Sequence, residues 1–392
     1  MLKSAQRPNM RIAFYSDNFY PELSGIVDSI LLTGKTLESR GHQIFYAGPR
    51  YPESAYRAAK CTSAEESGCV PGVVARLPSL PVPFSPTGQS RLALPFGGTF
   101  AALKAFKPDV IHTQSPYGAG IEAMRAAKKL GVPLIGTNHT VIEEYYPLIP
   151  NLMRRFEAWY YNHCSFVSAP YQGLIERMRE AGFRKAGRAV PNPVNLTLFC
   201  PPAVRANDAP VILYAGRLSG EKHVDVVMRA VALLIPRFSK LSFVIAGDGA
   251  SRGELEALAR TLGIGRAVRF AGFLSHEKLN TEFCNADVFA IMSTSDSQSL
   301  TLMQAYATGL PAVGARSHGL IDYIPAECGF SVPPGDVPAC AAALEKLIAD
   351  RPLRERMGKA GTEFVAEFAP ERIVKRWEEI YSQAIAQTED RP

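Results

Sequence analysis

Short apolar runs alternate with longer amphipathic stretches along this chain, and the alternation occurs twice. "RIAFYSD" (11–17), "QIFYAGP" (43–49), "DVIHTQS" (109–115), "PLIGTNH" (133–139) and "SFVSAP" (165–170) read as buried strands. Helical patterns separate them, such as "IVDSILLTGKTLESRG" (26–41), which ends at a glycine, and "GIEAMRAAKKLG" (120–131). The rhythm restarts with "VILYAGR" (211–217), "LSFVIAG" (241–247), "AVRFAGF" (267–273), "DVFAIMS" (287–293) and "PAVGA" (311–315). "KHVDVVMRAVALLIPRF" and "RGELEALARTLG" are the helices between. A β-α-β rhythm builds a parallel sheet with helices on both faces. Repeated, it predicts two doubly wound α/β domains. Pro and Asn accumulate over residues 190–210, so the domains are placed at 1–195 and 196–369. The last helical stretch, "PERIVKRWEEIYSQAIA" (370–386), can pack back across either domain, and joining the first would extend that domain by 370–392. Residues 50–98 break the rhythm, rich in Pro, Gly, Ser and Arg, and read as a long functional or mobile loop.

The bulk composition excludes several classes. Hydrophobic residues are 47% and charged residues 20% of the 392, as in soluble globular proteins. No apolar run reaches the ~18 residues that a spanning helix needs, and the N-terminus lacks a secretory pattern. The expected location is the cytosol. Seven scattered cysteines with no CxxC argue for reduced thiols, against a disulfide framework or zinc knuckle. Residues 1–200 carry 22 Lys and Arg against 14 Asp and Glu, a net of +8, whereas residues 201–392 carry 21 against 23. A basic first half suits an anionic partner: a membrane surface, a phosphate-bearing substrate or nucleic acid. It is equally what a solvated surface with an incidental excess looks like. The basic residues are dispersed and no nucleic-acid module is present, so nucleic acid is set aside.

In doubly wound sheets ligands bind beyond the carboxyl ends of strands, so the residues after each strand matter most. After strand 11–17, Ser24-Gly25 opens a helix whose free amides can hold a phosphate, or is a plain turn and cap. After strand 211–217, "GRLSGEKHVD" sets Arg217 and Lys222 five residues apart around a tight turn, suited to a nucleoside diphosphate whose charge grows as it leaves. After strand 287–293, "STSDSQSLTLMQAYATG" places Ser299, Leu300 and Thr301 at a helix start, with Asp296 before it and Gln304 inside. The amides at 299–301 can bind a diphosphate, Asp296 can accept from sugar hydroxyls, and Gln304 can hold ribose hydroxyls. Alternatively Asp296 caps the helix and Gln304 is exposed; spacing leaves both open. His139 ends a first-domain strand, and His112 ends another. Glu143 and Glu144 fall on different helix faces, which makes them a poor hydrolase pair. Gly247 and Gly249, at the exit of strand 241–247, allow close approach of a flat ring. "NLMRRFEAWYYNH" (151–163) interleaves Arg154 and Arg155 with Phe156, Trp159 and Tyr160, as a lipid-facing patch or as a core-packing helix.

In order along the chain, "VPNPVNLTLF", "GRLSGEKHVDVVMRA", "FVIAGDG", "VRFAGFLSHEKL" and "NADVFAIMSTSDSQSLTLMQAYATGLPAVGA" resemble the signatures of family-4 glycosyltransferases. These are retaining enzymes with the GT-B fold of two facing Rossmann-like domains. The resemblance spans roughly residues 10–385. It implies that Arg217 and Lys222 grip the donor diphosphate and that His139 sits beside the transferred sugar. By the same resemblance Gly25 lies on a loop touching the phosphates, and Gly247, Phe273, Ser299, Leu300, Thr301 and Gln304 face the nucleotide-sugar. The family's Glu-x7-Glu reads Asp296 and Gln304 here, its turn glycine is Ser299, and its Gly-Gly loop is Ser24-Gly25. Asp is one methylene shorter than Glu, so its reach must come from backbone position; Gln304 can still hold a ribose hydroxyl, without charge. "RLPSLPVPFSPTGQSRLALP" and "TNHTVIEEYY" look most like members that glycosylate lipids such as diacylglycerol.

The resemblance thus implies retaining transfer from a nucleoside-diphosphate sugar, a UDP-sugar, to a lipid hydroxyl. No metal is expected, since two cations can supply its electrostatics. The expected partners are the nucleotide-sugar, a lipid or sugar acceptor and an anionic membrane surface. The rival readings are a transferase of polysaccharide or lipopolysaccharide assembly and a non-catalytic nucleotide-sugar-binding protein.

Overall fold

The computed structural model describes residues 7–22, 24–59, 61–70, 72–82, 89–139, 150–205, 207 and 209–390. Glu143, Glu144 and the rest of 140–149 lie outside the described residues, as do 83–88 within the Pro-rich stretch. The chain divides into two units: residues 1–193 with 370–392, and residues 194–369.

The first unit holds β1 (Arg11–Tyr15), β2 (Gln43–Pro49), β3 (Val73–Leu77), β4 (Ser79–Pro81), β5 (Arg91–Ala93), β6 (Val110–Thr113), β7 (Leu134–Thr137), β8 (Phe166–Ala169) and β9 (Gly187–Ala189). Seven of these form one sheet in the order β3-β2-β1-β6-β7-β8-β9, with every pair parallel. The strands are continuous apolar runs because helices cover both faces. The 50–98 stretch is not the long loop that its composition suggests. It contains the helix Glu53–Ala58, the edge strand β3 and the antiparallel β4–β5 hairpin. A sheet edge tolerates Arg76 within β3, where its guanidinium bonds Glu66 and the Pro49 carbonyl and lies over the Phe19 ring.

The carboxy-terminal helix, Pro370–Glu389, belongs to this first unit. Ile373, Val374, Trp377, Ile380, Tyr381 and Ile385 are buried in the core around β1 and β2. Buried apolar side chains of this size each stabilise by about 1.5–3 kcal/mol. Polar bonds fix the helix register. Glu378 accepts from Arg40 Nε and Nη2 (2.6 and 2.9 Å) and from His42 Nε2 (3.1 Å). His112 bonds Tyr381 Oη and Thr137 Oγ1, both at 2.7 Å, so this histidine is a buried structural link.

Burial raises the Glu378 carboxyl pKa, but the bonds from Arg40 and His42 outweigh it and hold the group below the ordinary glutamate range. A depressed carboxyl stabilises the fold above its unfolded pKa, and the contribution is lost as pH falls through the folded value. Glu378→Gln is therefore expected to cost about 2 kcal/mol at pH 7, discounted for the exposure of Arg40. The gap to the parent protein should close in denaturant titrations as pH falls below the ordinary glutamate range.

The second unit is a six-stranded parallel sheet. Its strands are β10 (Val211–Ala215), β11 (Ser242–Ala246), β12 (Val268–Gly272), β13 (Val288–Ile291), β14 (Ala312–Ala315) and β15 (Gly329–Val332). Their order, β12-β11-β10-β13-β14-β15, reverses direction between β10 and β13. The first sheet reverses between β1 and β6 in the same way. Such reversals open a crevice beyond the carboxyl ends of the two central strands, where ligands bind.

Candidate active site

In the second unit the chain leaves β10 through Gly216 and Arg217 and forms a tight 3-10 turn, Gly220–Lys222. It leaves β13 through Met292 and the turn Ser293–Gln298 before the helix Leu300–Ala307. Strand order alone brings these two exits side by side. The Lys222 ammonium meets Asp296 Oδ2 at 3.1 Å, Ser295 Oγ at 3.2 Å and Ser293 Oγ at 3.4 Å. Arg217 is held from its own loop: Nη2 donates to Glu221 Oε1 (3.2 Å) and Nε to Ser219 Oγ (3.3 Å), while Tyr214 Oη donates to the Arg217 carbonyl (2.7 Å).

Burial raises the Asp296 carboxyl, but Lys222, Ser293 and Arg217 outweigh it and hold the group below the usual aspartate range. Glu221 is depressed likewise, with burial opposed by the Ser219 hydroxyl, Arg217 and Lys222. Both cations thus act on both carboxylates, within one electrostatic cluster. The Arg217–Glu221 pair is a half-exposed i,i+4 contact worth about 0.5 kcal/mol. An arriving phosphate can displace Glu221 at little cost. The Lys222–Asp296 pair is deeper, and Lys222 is only 12% exposed.

Asp296 does not cap the following helix. Ser299 does, its Oγ accepting from Leu302 N at 3.3 Å. The first-turn amides of Leu300 and Thr301 have no acceptor among the described residues, and free amides at a helix start favour anions. Gln304 is buried rather than exposed, and its Oε1 has no hydrogen-bond partner among the described residues. A buried orphan acceptor costs about 1–3 kcal/mol, a cost that a ligand hydroxyl would remove.

Gly247 and Gly249 each pack one side against a neighbouring backbone. A Cβ at Gly247 would lie 1.8 Å from the Gly216 carbonyl oxygen, and one at Gly249 2.3 Å from that of Leu218. Both glycines let the Arg217 loop pack onto the β11 exit. Phe273, just past β12, is 61% exposed.

Gly25 and His139 belong to the first unit. Gly25 opens the helix Gly25–Ser39, capped by Ser24 Oγ, which accepts from Val27 N. His139 follows β7. Burial lowers its pKa to about 4, so the ring is neutral at pH 7, and it donates Nε2–H to Gln114 Oε1 at 2.7 Å. The helix Pro150–Tyr161 divides between the two readings of its aromatics. Tyr160 and Tyr161 are buried and donate to the Gly120 and Thr137 carbonyls, whereas Leu152 and Trp159 are exposed.

Sequence reasoning brought Arg217, Lys222, Asp296 and residues 299–301 together. It missed Glu221, Ser293, Ser295 and Gln114. The i,i+4 spacing of Arg217 and Glu221 was a usable signal; the serines were visible only as a hydroxyl-rich turn.

Residues 201–364 match the family model described as "Glycosyl transferases group 1", and residues 23–198 match that described as "Glycosyltransferase Family 4". Together the two matches take in most of both units. The chain belongs to the family-4, group-1 glycosyltransferases. This glycosyltransferase is 25% identical to the alpha-monoglucosyldiacylglycerol synthase of Streptococcus pneumoniae over 96% of its own length and 86% of that protein. It is 27% identical to the GDP-mannose-dependent alpha-mannosyltransferase of Mycolicibacterium smegmatis over 87% of its length and 90% of the relative. Its fold is that of the Anabaena Alr3699/HepE structure solved in complex with UDP, with a TM-score of 0.77 and 17% identity over 95% of this chain and all of that one. The glycosyltransferase therefore has the GT-B fold and a nucleotide-sugar-dependent, retaining family chemistry. No helix among its described residues is long and apolar enough to cross a membrane.

Proposed function

We propose that the protein transfers a sugar, with retention, from a UDP-sugar to a lipid hydroxyl such as that of diacylglycerol at a membrane surface. One observation carries the donor half: Lys222, Arg217 and the amides of Leu300 and Thr301 stand at the switch point of the second sheet, with Gln304 Oε1 in the same helix, and neither those amides nor that oxygen has a partner among the described residues. In this reading the cations and amides take up the negative charge that grows on the diphosphate as the bond from sugar C1 to phosphate oxygen breaks. The acceptor oxygen bonds C1 on the same face, and its proton passes to a donor phosphate oxygen, so no separate base is required. Asp296 serves the transferred sugar through the oxygen not used by Lys222. His139, neutral at pH 7, meets the sugar as a hydrogen-bonding group rather than as a charge.

Gln304 supplies a discriminating test. Gln304→Leu removes an unsatisfied buried acceptor, so the melting temperature should hold or rise. UDP affinity should fall about tenfold, one lost hydrogen bond. Loss of stability with unchanged UDP binding would assign Gln304 to the core.

The acceptor half rests on the likeness to the diacylglycerol-glycosylating relative along nearly the whole chain and on the net +8 of residues 1–200. Exposed Trp159 and Leu152 on the helix that also carries Arg154 and Arg155 suit an interfacial contact. Each basic residue near an anionic surface contributes about 1 kcal/mol. The protein should float with vesicles containing phosphatidylglycerol, and release as salt rises. Failure to float, together with transfer to soluble sugars, would favour the polysaccharide-assembly reading. The GDP-mannose-dependent relative makes GDP-mannose the first alternative donor to assay.

A further inference from the structure

His223 directly follows Lys222 and adopts a left-handed backbone, φ 47° and ψ 43°, between the 3-10 turn and the helix Val224–Leu234. A non-glycine residue there is strained, and such strain persists only where surroundings impose it. The surroundings are specific. His223 Nε2 lies 3.3 Å from Thr294 Oγ1. Thr294 in turn donates its N–H to the Glu221 carbonyl at 3.0 Å and its hydroxyl to the same oxygen at 3.4 Å. When the Thr294 hydroxyl donates to the Glu221 carbonyl, its oxygen accepts from the imidazole Nε2–H. Thr294 sits between Ser293 and Ser295, the two hydroxyls that with Asp296 receive the Lys222 ammonium. The strained residue therefore ties the β10 exit to the β13 exit at the point where they share Lys222.

We infer that His223 is a positioning residue: its bond to Thr294 holds the Lys222 turn and the Ser293–Asp296 turn in register for a diphosphate, and backbone strain is tolerated for that tether. The inference rests on the proposed role of Lys222. A glycine takes up the left-handed backbone freely, so His223→Gly separates the two effects of the side chain. The chemical-denaturation midpoint of H223G should match or exceed that of the parent, while the Kd for UDP, measured by calorimetry, rises about tenfold. Asn tolerates this backbone and keeps a donor, so H223N should stay within about threefold of the parent. T294V should weaken UDP binding like H223G, and the double variant should be no worse than either single one, as expected for one shared interaction. Parental UDP affinity in H223G overturns the inference. So do losses that multiply in the double variant, or a fall in midpoint that accompanies the loss of affinity. A K222A arm keeps the premises apart: parental UDP affinity in K222A defeats the Lys222 reading itself, whereas a crippled K222A with a silent H223G defeats only the His223 tether.

Discussion

Lys222→Ala is expected to leave a folded protein with kcat for sugar transfer lowered by about 10²–10³ and UDP affinity reduced as well. The first figure is typical of removing one electrostatic group that acts on developing negative charge. The fold should survive because the helix and strands around Lys222 do not depend on its ammonium. Asp296, whose side chain is 19% exposed, answers the loss by raising its pKa toward and above the ordinary value. In the parent protein the depressed Asp296 carboxyl stabilises the fold at neutral pH, and that contribution vanishes as pH falls through its folded pKa. The stability gap between parent and K222A should therefore narrow below the aspartate range. UDP release followed with and without acceptor, alongside circular dichroism, reads both effects. Turnover equal to the parent's would remove Lys222 from the chemistry.

Gly247→Ala is expected to be among the most damaging small substitutions in the second unit. Gly247 has φ 149°, which disfavours any side chain, and the new methyl would sit 1.8 Å from the Gly216 carbonyl oxygen. Backbone bonds hold this region: Gly216 N to the Ala246 carbonyl (2.9 Å), Leu218 N to the Asp248 carbonyl (3.0 Å), Ser251 N to the Leu218 carbonyl (3.0 Å) and Gly247 N to the Gly272 carbonyl (2.8 Å). The clash is with backbone, so relief requires moving the loop that carries Arg217. Backbone strain and overpacking together should cost about 3 kcal/mol, with a parallel loss of UDP binding. Gly253→Ala is the control. It lies in the helix Arg252–Thr261 with no atom near its would-be Cβ, and should stabilise by up to about 1 kcal/mol. Urea titrations of the two variants, with UDP calorimetry, should move in opposite directions; parental behaviour of G247A would mean that the β11 exit does not support the Arg217 loop.

The central strands were legible because buried parallel strands are uninterrupted apolar runs bounded by turn residues, as in "VILYAGR" and "DVFAIMS". β3, β9, β15 and the β4–β5 hairpin were not. β3, β5, β9 and β15 carry Arg or Gly, and pairing with a neighbour rather than their own composition makes these segments strands. The identities of the site residues were likewise visible, each just beyond a strand. Their partnerships were not: Lys222 and Asp296 lie 74 positions apart, and only the reversal of strand order between β10 and β13 makes them neighbours. The packing of Gly247 against Gly216 was not legible for a related reason, since nothing local shows that a neighbouring backbone fills the space beside it.

Calorimetric titration of the intact protein with UDP and, separately, with uridine tests the diphosphate grip most directly. Two cations and a helix end acting on the phosphates predict that UDP binds at least about a hundredfold more tightly than uridine, and that the ratio shrinks as salt rises and collapses in K222A. Equal affinity for UDP and uridine, or a ratio untouched by K222A, would contradict the account.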